Sequence, residues 1–254
     1  MRVWHELTAW TERRRAIGDA TLGFVPTMGA LHRGHASLVE RCRAENEIAV
    51  ASIFVNPSQF NDPRDLDRYP RTMEADLALL ERLGVDDVLA PSARDLYPAG
   101  YRFRIEADFM TALMEGAHRP GFLQGVMTIV MKLLNLVRAD RAYFGEKDFQ
   151  QLKTIEEMTR EFFIPTEIVG GATVRAASGL AESSRNALLS EHGRRQAAAI
   201  FRAITESPSA AAAAAMLAAE GFKVDYVEEH WNRRFAAAFL EGIRLIDNVP
   251  MEKS

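Results

Sequence analysis

Short apolar runs alternate along this chain with longer stretches in which apolar residues return every three or four positions. The runs at residues 21–25, 48–55, 87–89, 142–144 and 167–169 are of strand length and fit strands buried within a sheet. Between them, Leu77, Leu80 and Leu83 repeat at helical spacing ahead of Gly84, a helix stop. Val126, Ile129, Val130, Leu133, Leu134 and Val137 trace a longer apolar face, and Arg138 suits the C-terminal end of that helix. Strands alternating with helices predict an α/β domain built on a parallel sheet. The pattern changes near Gly170 and Gly171, after which alanine becomes frequent. Residues 210–219 form an alanine-rich tract, opened by Ser207-Pro208-Ser209 and closed near Gly221, that reads as a plain helix. The expected division is a sheet domain over residues 1–171 and a small C-terminal α+β domain over residues 172–254.

At 254 residues and 48% hydrophobic, the chain can bury an ordinary core, which excludes general disorder. Its 31 basic and 35 acidic residues give a formal charge of −4 with no basic block, so a nucleic-acid partner is not expected. Cys42 is the one cysteine, which excludes an internal disulfide and any multi-cysteine metal site and fits a reducing cytoplasm. The N-terminal MRVWHELTAWTERRR carries charges where a signal peptide has its apolar core, and no stretch reaches the ~20 apolar residues a bilayer span needs. The expectation is a cytoplasmic protein with no membrane partner.

In open parallel sheets, ligands collect at the carboxyl ends of the strands, so the residues that follow each strand carry the candidate chemistry. After the first strand stands PTMGALHRGH, residues 26–35. Gly29 permits a ligand to approach the backbone, and the helix that follows turns free N–H groups and a positive end toward an anion. His32 and His35, three apart, share one face of that helix. The same string also fits a capped helix start with incidental histidines, and without a third ligand it makes a poor zinc site. VNPSQF, residues 55–60, follows the second strand. FGEKD, residues 144–148, follows the fourth and offers Lys147 for phosphate and Asp148 for ribose hydroxyls. GLAESSRN, residues 179–186, lies beyond the fifth and offers Ser183, Ser184 and the forked guanidinium of Arg185. Each of these alone is an ordinary turn; together at strand ends they point to nucleotide chemistry. GxxxxGK[ST] is absent, which excludes a P-loop kinase.

In this order, PTMGALHRGH, SIFVNPSQF, DLDRYPRT, RPGFLQGV, FGEKDFQQL and SSRN resemble the pantothenate synthetase (pantoate–beta-alanine ligase) family, with a fainter echo in RLIDN at residues 244–248. HxGH alone marks only the wider nucleotidyltransferase superfamily. The resemblance implies a Rossmann-like parallel sheet that binds nucleotide, a smaller C-terminal lid domain, and a homodimer. It also implies condensation of D-pantoate with β-alanine at the expense of ATP, through a pantoyl adenylate and with Mg2+. Met28, Gly29, Ala30, Leu31, His32, Arg33, Gly34 and His35 would then line ATP, with His35 donating a proton toward the leaving group. Gly145, Glu146, Lys147 and Asp148 would hold ribose and phosphate, with Lys147, His32 and His35 as the catalytic set. Val174 would touch the nucleotide near its base, and Glu182, Ser183, Ser184 and Arg185 would lie along the phosphates. Gln59 and Gln151 would bind pantoate, with Asn56 bracing that pocket. Asp76 is either an outer Mg2+ ligand or an exposed helix carboxylate. The polar stretch 61–71 is expected to form a mobile cover over the site.

The chain departs from the family pattern in four places. Glu182 stands where the family has an apolar residue, and a carboxylate beside a triphosphate should be repelled by it. Ala176, Ala177 and Ser178 replace acidic positions. Phe122 and Leu123 replace a His-Phe pair in a loop expected to border the substrate pocket, and the second domain looks shortened between Val227 and Arg233. Two alternatives stay open: a nucleotidylyltransferase that stops at an adenylated product, and a non-catalytic nucleotide-binding relative.

Overall fold

The structure, a computed structural model, describes residues 1–61 and 63–251. The first of two compact units holds six strands: β1 (Arg2–Trp4), β2 (Leu22–Thr27), β3 (Ile48–Ile53), β4 (Asp87–Leu89), β5 (Arg141–Gly145) and β6 (Glu167–Gly171). They are parallel throughout and stand in the order β1-β4-β3-β2-β5-β6. From β2 the chain moves outward through β3 and β4 in one direction and through β5 and β6 in the other. The reversal lies between β2 and β5, which pair at Gly23–Arg141 and Phe24–Ala142. Such a switch point opens a crevice at the carboxyl ends of its two strands.

The predicted strands all form, that at residues 87–89 with the expected ends and the other four with shifted ones. β2 runs two residues past Val25, through Pro26 to Thr27. A proline is tolerated there because of which side it faces. The carbonyl of Thr27 accepts from Phe54 on the β3 side, whereas that of Leu22 accepts from Asp140 on the β5 side. Alternation puts Pro26 on the β5 side, and pairing with β5 ends at Phe24, so no ladder bond is lost. β1 was not expected; only three residues long and partly exposed, it borders the sheet beside β4.

Leu80 is buried on the helix Met73–Arg82, and Gly84 follows with φ of 76°. The longer apolar stripe forms the helix Phe122–Val137, with Val126, Ile129, Val130, Leu133, Leu134 and Val137 all buried. Arg138 ends it in a left-handed conformation (φ 51°), its N–H bonded to the carbonyl of Leu134. Phe122 and Leu123 are not in a loop, as expected, but open this helix and are buried, with the Arg119 guanidinium 3.7 Å from the Phe122 ring centroid. In the stretch 61–71, residue 62 lies outside the described residues; Pro63–Arg68 is helical, and Tyr69 is buried edge-on against Phe60.

The second unit comprises Glu146–Phe149 and the chain from Ala172 onward. Its sheet is an antiparallel meander of β7 (Lys223–His230), β8 (Arg233–Leu240) and β9 (Ile243–Pro250). Both hairpins close on two residues with positive φ: Trp231 and Asn232 at 50° and 55°, Glu241 and Gly242 at 51° and 76°. These are the φ signs of the tight turn whose twist matches paired strands. The first is what lies in the segment that looked shortened. Ala236, Ala238, Leu240 and Leu245 pack against Ile200, Ile204, Leu217 and Phe222 to make this unit's core. The alanine tract is the helix Ala210–Ala219, and its N-cap Ser209 accepts from the N–H of Ala212. Among the described residues, no helix is long and apolar enough to cross a membrane.

Candidate functional site

The chain leaves β2 at the switch point through residues 28–32 and enters the helix Arg33–Glu45. Gly29 and Ala30 are both left-handed, at φ 78° and 50°. Glycine takes that conformation freely, whereas alanine pays roughly 1–2 kcal/mol and must be held by its surroundings. The holder is Asp76. Its carboxylate accepts from the N–H of Ala30 at 2.9 Å, the N–H of Leu31 at 2.8 Å and the hydroxyl of Thr72 at 3.0 Å. Asp76 is only 3% exposed, which corrects the reading of it as an exposed helix carboxylate. A Cβ on Gly29 would stand 3.0 Å from the same carboxylate and 3.2 Å from Ile53.

His32 is the N-cap of the helix, and its Nδ1 accepts from the N–H of Gly34 at 3.1 Å. Nδ1 of His35 accepts in return from the N–H of His32 at 3.3 Å, so the two histidines form a reciprocal capping box. Their ring centroids lie 4.1 Å apart. An Nδ1 that accepts a backbone N–H carries no proton, so each neutral ring holds its proton on Nε2. The cap thereby selects the tautomer in which Nε2 is a donor. Arg33 and Gly34 form the first turn of the helix.

Beyond β3, Asn56 is buried and caps the turn Pro57–Gln59. Its Oδ1 accepts from the hydroxyls of Ser58 and Tyr97 at 2.9 and 2.8 Å. Its Nδ2 donates to Gln59 Oε1 at 3.0 Å and to the carbonyl of Gly125 at 3.2 Å. Gln59 Nε2 in turn donates to the sulfur of Met28 at 3.0 Å, so Met28, Asn56 and Gln59 are gathered at one place. Gly125 allows the helix Phe122–Val137 to lie against this turn; a Cβ there would sit 2.9 Å from the Cα of Gln59 and overlap the carbonyl of Ser58. Gln151 is half-buried on the helix Phe149–Glu161. Its neighbour Gln150, which sequence reasoning passed over, is the buried member of the pair and binds the backbone of Met110, Leu113 and Glu115.

β5 ends at Gly145, and Glu146, Lys147 and Asp148 form a single tight turn. The Lys147 ammonium stands 3.9 Å from the Asp148 carboxylate. Asn248 on β9 donates through Nδ2 to the carbonyls of Glu146 and Lys147, each at 2.9 Å. In the same unit the carbonyl of Val174 accepts from the N–H of Glu182 at 2.9 Å, which makes those two positions backbone neighbours. Ser183 caps the short helix Ser184–Leu188, its hydroxyl accepting from the N–H of Arg185 at 3.3 Å. Glu182, Ser184 and Arg185 are half-buried. Sequence reasoning misses Asp76 as the holder of the histidine turn, and Asn248, whose only signal is its place in the RLIDN string.

Among the described residues, no group of three or more His, Cys, Asp or Glu side chains converges as a metal site. Both oxygens of Asp76 are already engaged by backbone and hydroxyl donors.

The family profile described as pantoate-beta-alanine ligase matches residues 1–250. A pantothenate synthetase of Bdellovibrio bacteriovorus is 54% identical over 244 residues, covering 96% of each chain. One from Legionella pneumophila is 47% identical over 98% of this chain and 99% of its own. Among solved structures, the pantothenate synthetase of Thermus thermophilus superposes with a TM-score of 0.90 at 42% identity, covering 98% of this chain and 99% of that one. The pantoate-beta-alanine ligase of Francisella tularensis, complexed with beta-gamma ATP and beta-alanine, superposes at 0.94 with 37% identity, covering 100% and 99%.

Proposed function

The chain belongs to the pantoate-beta-alanine ligase family, and on that premise we propose how its own residues carry out the ATP-dependent joining of D-pantoate to β-alanine. One oxygen of the pantoate carboxylate attacks the α-phosphorus of ATP, the bond to the bridging oxygen breaks, and pyrophosphate leaves. The amine of β-alanine then attacks the acyl carbon, the acyl–phosphate bond breaks, and AMP leaves with pantothenate formed. The ammonium of β-alanine gives up its proton to solvent before attack.

The observation that carries this reading is the histidine capping box at the sheet's switch point. It presents Nε2–H donors at a helix start, where negative charge accumulates on the departing pyrophosphate. The Nε2–H groups of His35 and His32 act as hydrogen-bond donors to that charge. The expected proton transfer from His35 does not fit a ring whose Nδ1 accepts a backbone N–H, since losing its one proton would leave an imidazolate. Met28, Gly29, Ala30, Leu31, Arg33 and Gly34 line the nucleotide as a wall. The N–H groups of Gly29, Ala30, Leu31 and Gly34 are already taken by Thr27, Asp76 and His32, so the free N–H donors expected from the sequence are not these. Lys147, Ser183, Ser184 and Arg185 supply cation and hydroxyl contacts to phosphate oxygens, Gly145, Glu146 and Asp148 those to ribose and phosphate, and Val174 the contact near the base. Glu182 lies at the phosphates and weakens the nucleotide's binding. Gln59 has its oxygen occupied by Asn56, so its NH2 faces the substrate, and a pantoate oxygen is a far better acceptor than the Met28 sulfur it would displace. Gln151 is the second pantoate contact.

Mg2+ enters as part of the metal–nucleotide substrate, held chiefly by phosphate oxygens. Asp76 does not fit as its ligand, because its oxygens hold the histidine turn. The reading includes a homodimer, supported by the family resemblance, and a cytoplasmic location, supported by the single unpaired cysteine. Sedimentation equilibrium tests the dimer, and a monomer at micromolar concentration would remove it.

The deciding experiment is pyrophosphate and AMP release from MgATP and D-pantoate, with and without β-alanine, beside His35→Ala. Sustained AMP release that needs β-alanine and collapses in the variant is expected. An adenylated product that accumulates regardless of β-alanine would favour a nucleotidylyltransferase, and no release from folded protein a non-catalytic relative.

A further inference from the structure

We propose that Asn248, in the RLIDN string, is a positioning residue that sets the direction of Lys147, an inference that rests on the reading of Lys147 as a phosphate contact. Asn248 is 1% exposed and every polar atom of its side chain is used. Nδ2 spends one hydrogen on the carbonyl of Glu146 and the other on that of Lys147, both at 2.9 Å. Oδ1 accepts from Arg233 Nε at 2.6 Å. The neighbouring Asp247 receives the guanidinium of Arg175 through two bonds of 2.6 and 2.9 Å and fixes the N–H of Asn248 at 2.8 Å, so the asparagine cannot swing away.

The turn that carries Lys147 is also gripped from its flanks. Arg233 reaches the Glu146 carboxylate at 3.6 Å and lies 4.3 Å from the Phe149 ring centroid, and Phe149 packs against Trp231 and Phe235. Among the described residues, the Lys147 ammonium has only the long 3.9 Å approach to Asp148, and its side chain is 18% exposed, so its direction is set by where the backbone of the turn starts it together with the packing along its stem. Only an amide serves here. It offers two donors on one nitrogen to adjacent carbonyls while its oxygen receives Arg233. An aspartate of the same shape would set a carboxylate oxygen against two carbonyl oxygens.

The test is a cycle of Asn248→Asp, Lys147→Ala and the double variant, read as kcat/KM for ATP with urea unfolding alongside. Asn248→Asp is expected to lower kcat/KM about 100-fold, the scale on which a displacement of roughly 1 Å acts. In the Lys147→Ala background the same change should cost less than about threefold, because the group being aimed is gone. KM for β-alanine should stay near its wild-type value. Asn248→Ala, which removes the donors without adding repulsion, should show the same coupling at smaller amplitude and serves if the aspartate variant does not fold. An equal loss in both backgrounds would make Asn248 merely structural and overturn the proposal, as would full activity in both Asn248 variants while Lys147→Ala is impaired. If Lys147→Ala alone costs nothing, the assignment of Lys147 itself fails, a different result from the other two.

Discussion

Replacing Asp76 with asparagine removes charge without changing shape, and the structure says what that should cost. The carboxylate takes three hydrogen bonds of 2.8–3.0 Å, two of them from consecutive backbone N–H groups. An asparagine has one acceptor oxygen, so whichever way it turns, its NH2 meets the N–H of Ala30 or of Leu31. One bond to a charged acceptor is lost outright, about 1.5–3 kcal/mol, and the others lose their charge assistance. The left-handed Ala30, costing roughly 1 kcal/mol, is then no longer compelled, and the turn relaxes. A destabilisation of about 3 kcal/mol follows, measured by urea unfolding. Because the same turn delivers His32 to its cap, kcat for pyrophosphate release should fall about 100-fold. Excess Mg2+ separates this account from a metal-ligand role: a ligand's loss is recovered by saturating metal, whereas a displaced turn is not. Wild-type stability to within about 0.5 kcal/mol, or recovery of rate by Mg2+, would refute the reasoning.

Gly125→Ala should push the Pro57–Gln59 turn away from the helix Phe122–Val137, costing roughly 1–3 kcal/mol and raising KM for pantoate more than KM for ATP; equal KM values would refute it. Glu182→Leu should tighten ATP binding severalfold, visible in the KM for ATP, and an unchanged or higher KM defeats that expectation. Burial pushes the Cys42 thiol up to about 12, so a thiol reagent at pH 8 should label it only in urea. Because that pKa is raised on folding, the associated stability is complete below the unfolded value near 9.0 and is lost as pH climbs from there toward 12; urea midpoints that hold level to pH 11 would contradict this.

The apolar pattern was enough to reveal five strands and the two long helical stripes, because a strand buried on both faces or a helix against a sheet leaves a local periodicity. β1 and the three-stranded sheet escaped it. β1 is too short to show a period, and β7–β9 are held by two-residue turns that lack the usual Asn-Gly signal: Trp231-Asn232 supplies the first. The resemblance to the family places Phe122 and Leu123 in a loop, yet burial draws them into the helix.

For the site, the residue types were legible in the sequence, since HxGH, EKD and SSRN each carry donors or cations in one contiguous string. What no string could contain is the contact between distant positions. Asp76 meets Ala30 and Leu31 across some 45 residues of chain, and Asn248 meets Lys147 across 101. Sequence alone thus determined which chemistry was available and which strand ends bear it, whereas the order of the strands in the sheet came from the fold. The tertiary structure decided which nitrogen of each histidine carries the proton, what holds a strained turn in place, and which side chain aims the lysine. Those are properties of hydrogen-bond geometry between remote segments, and they exist only once the chain has folded.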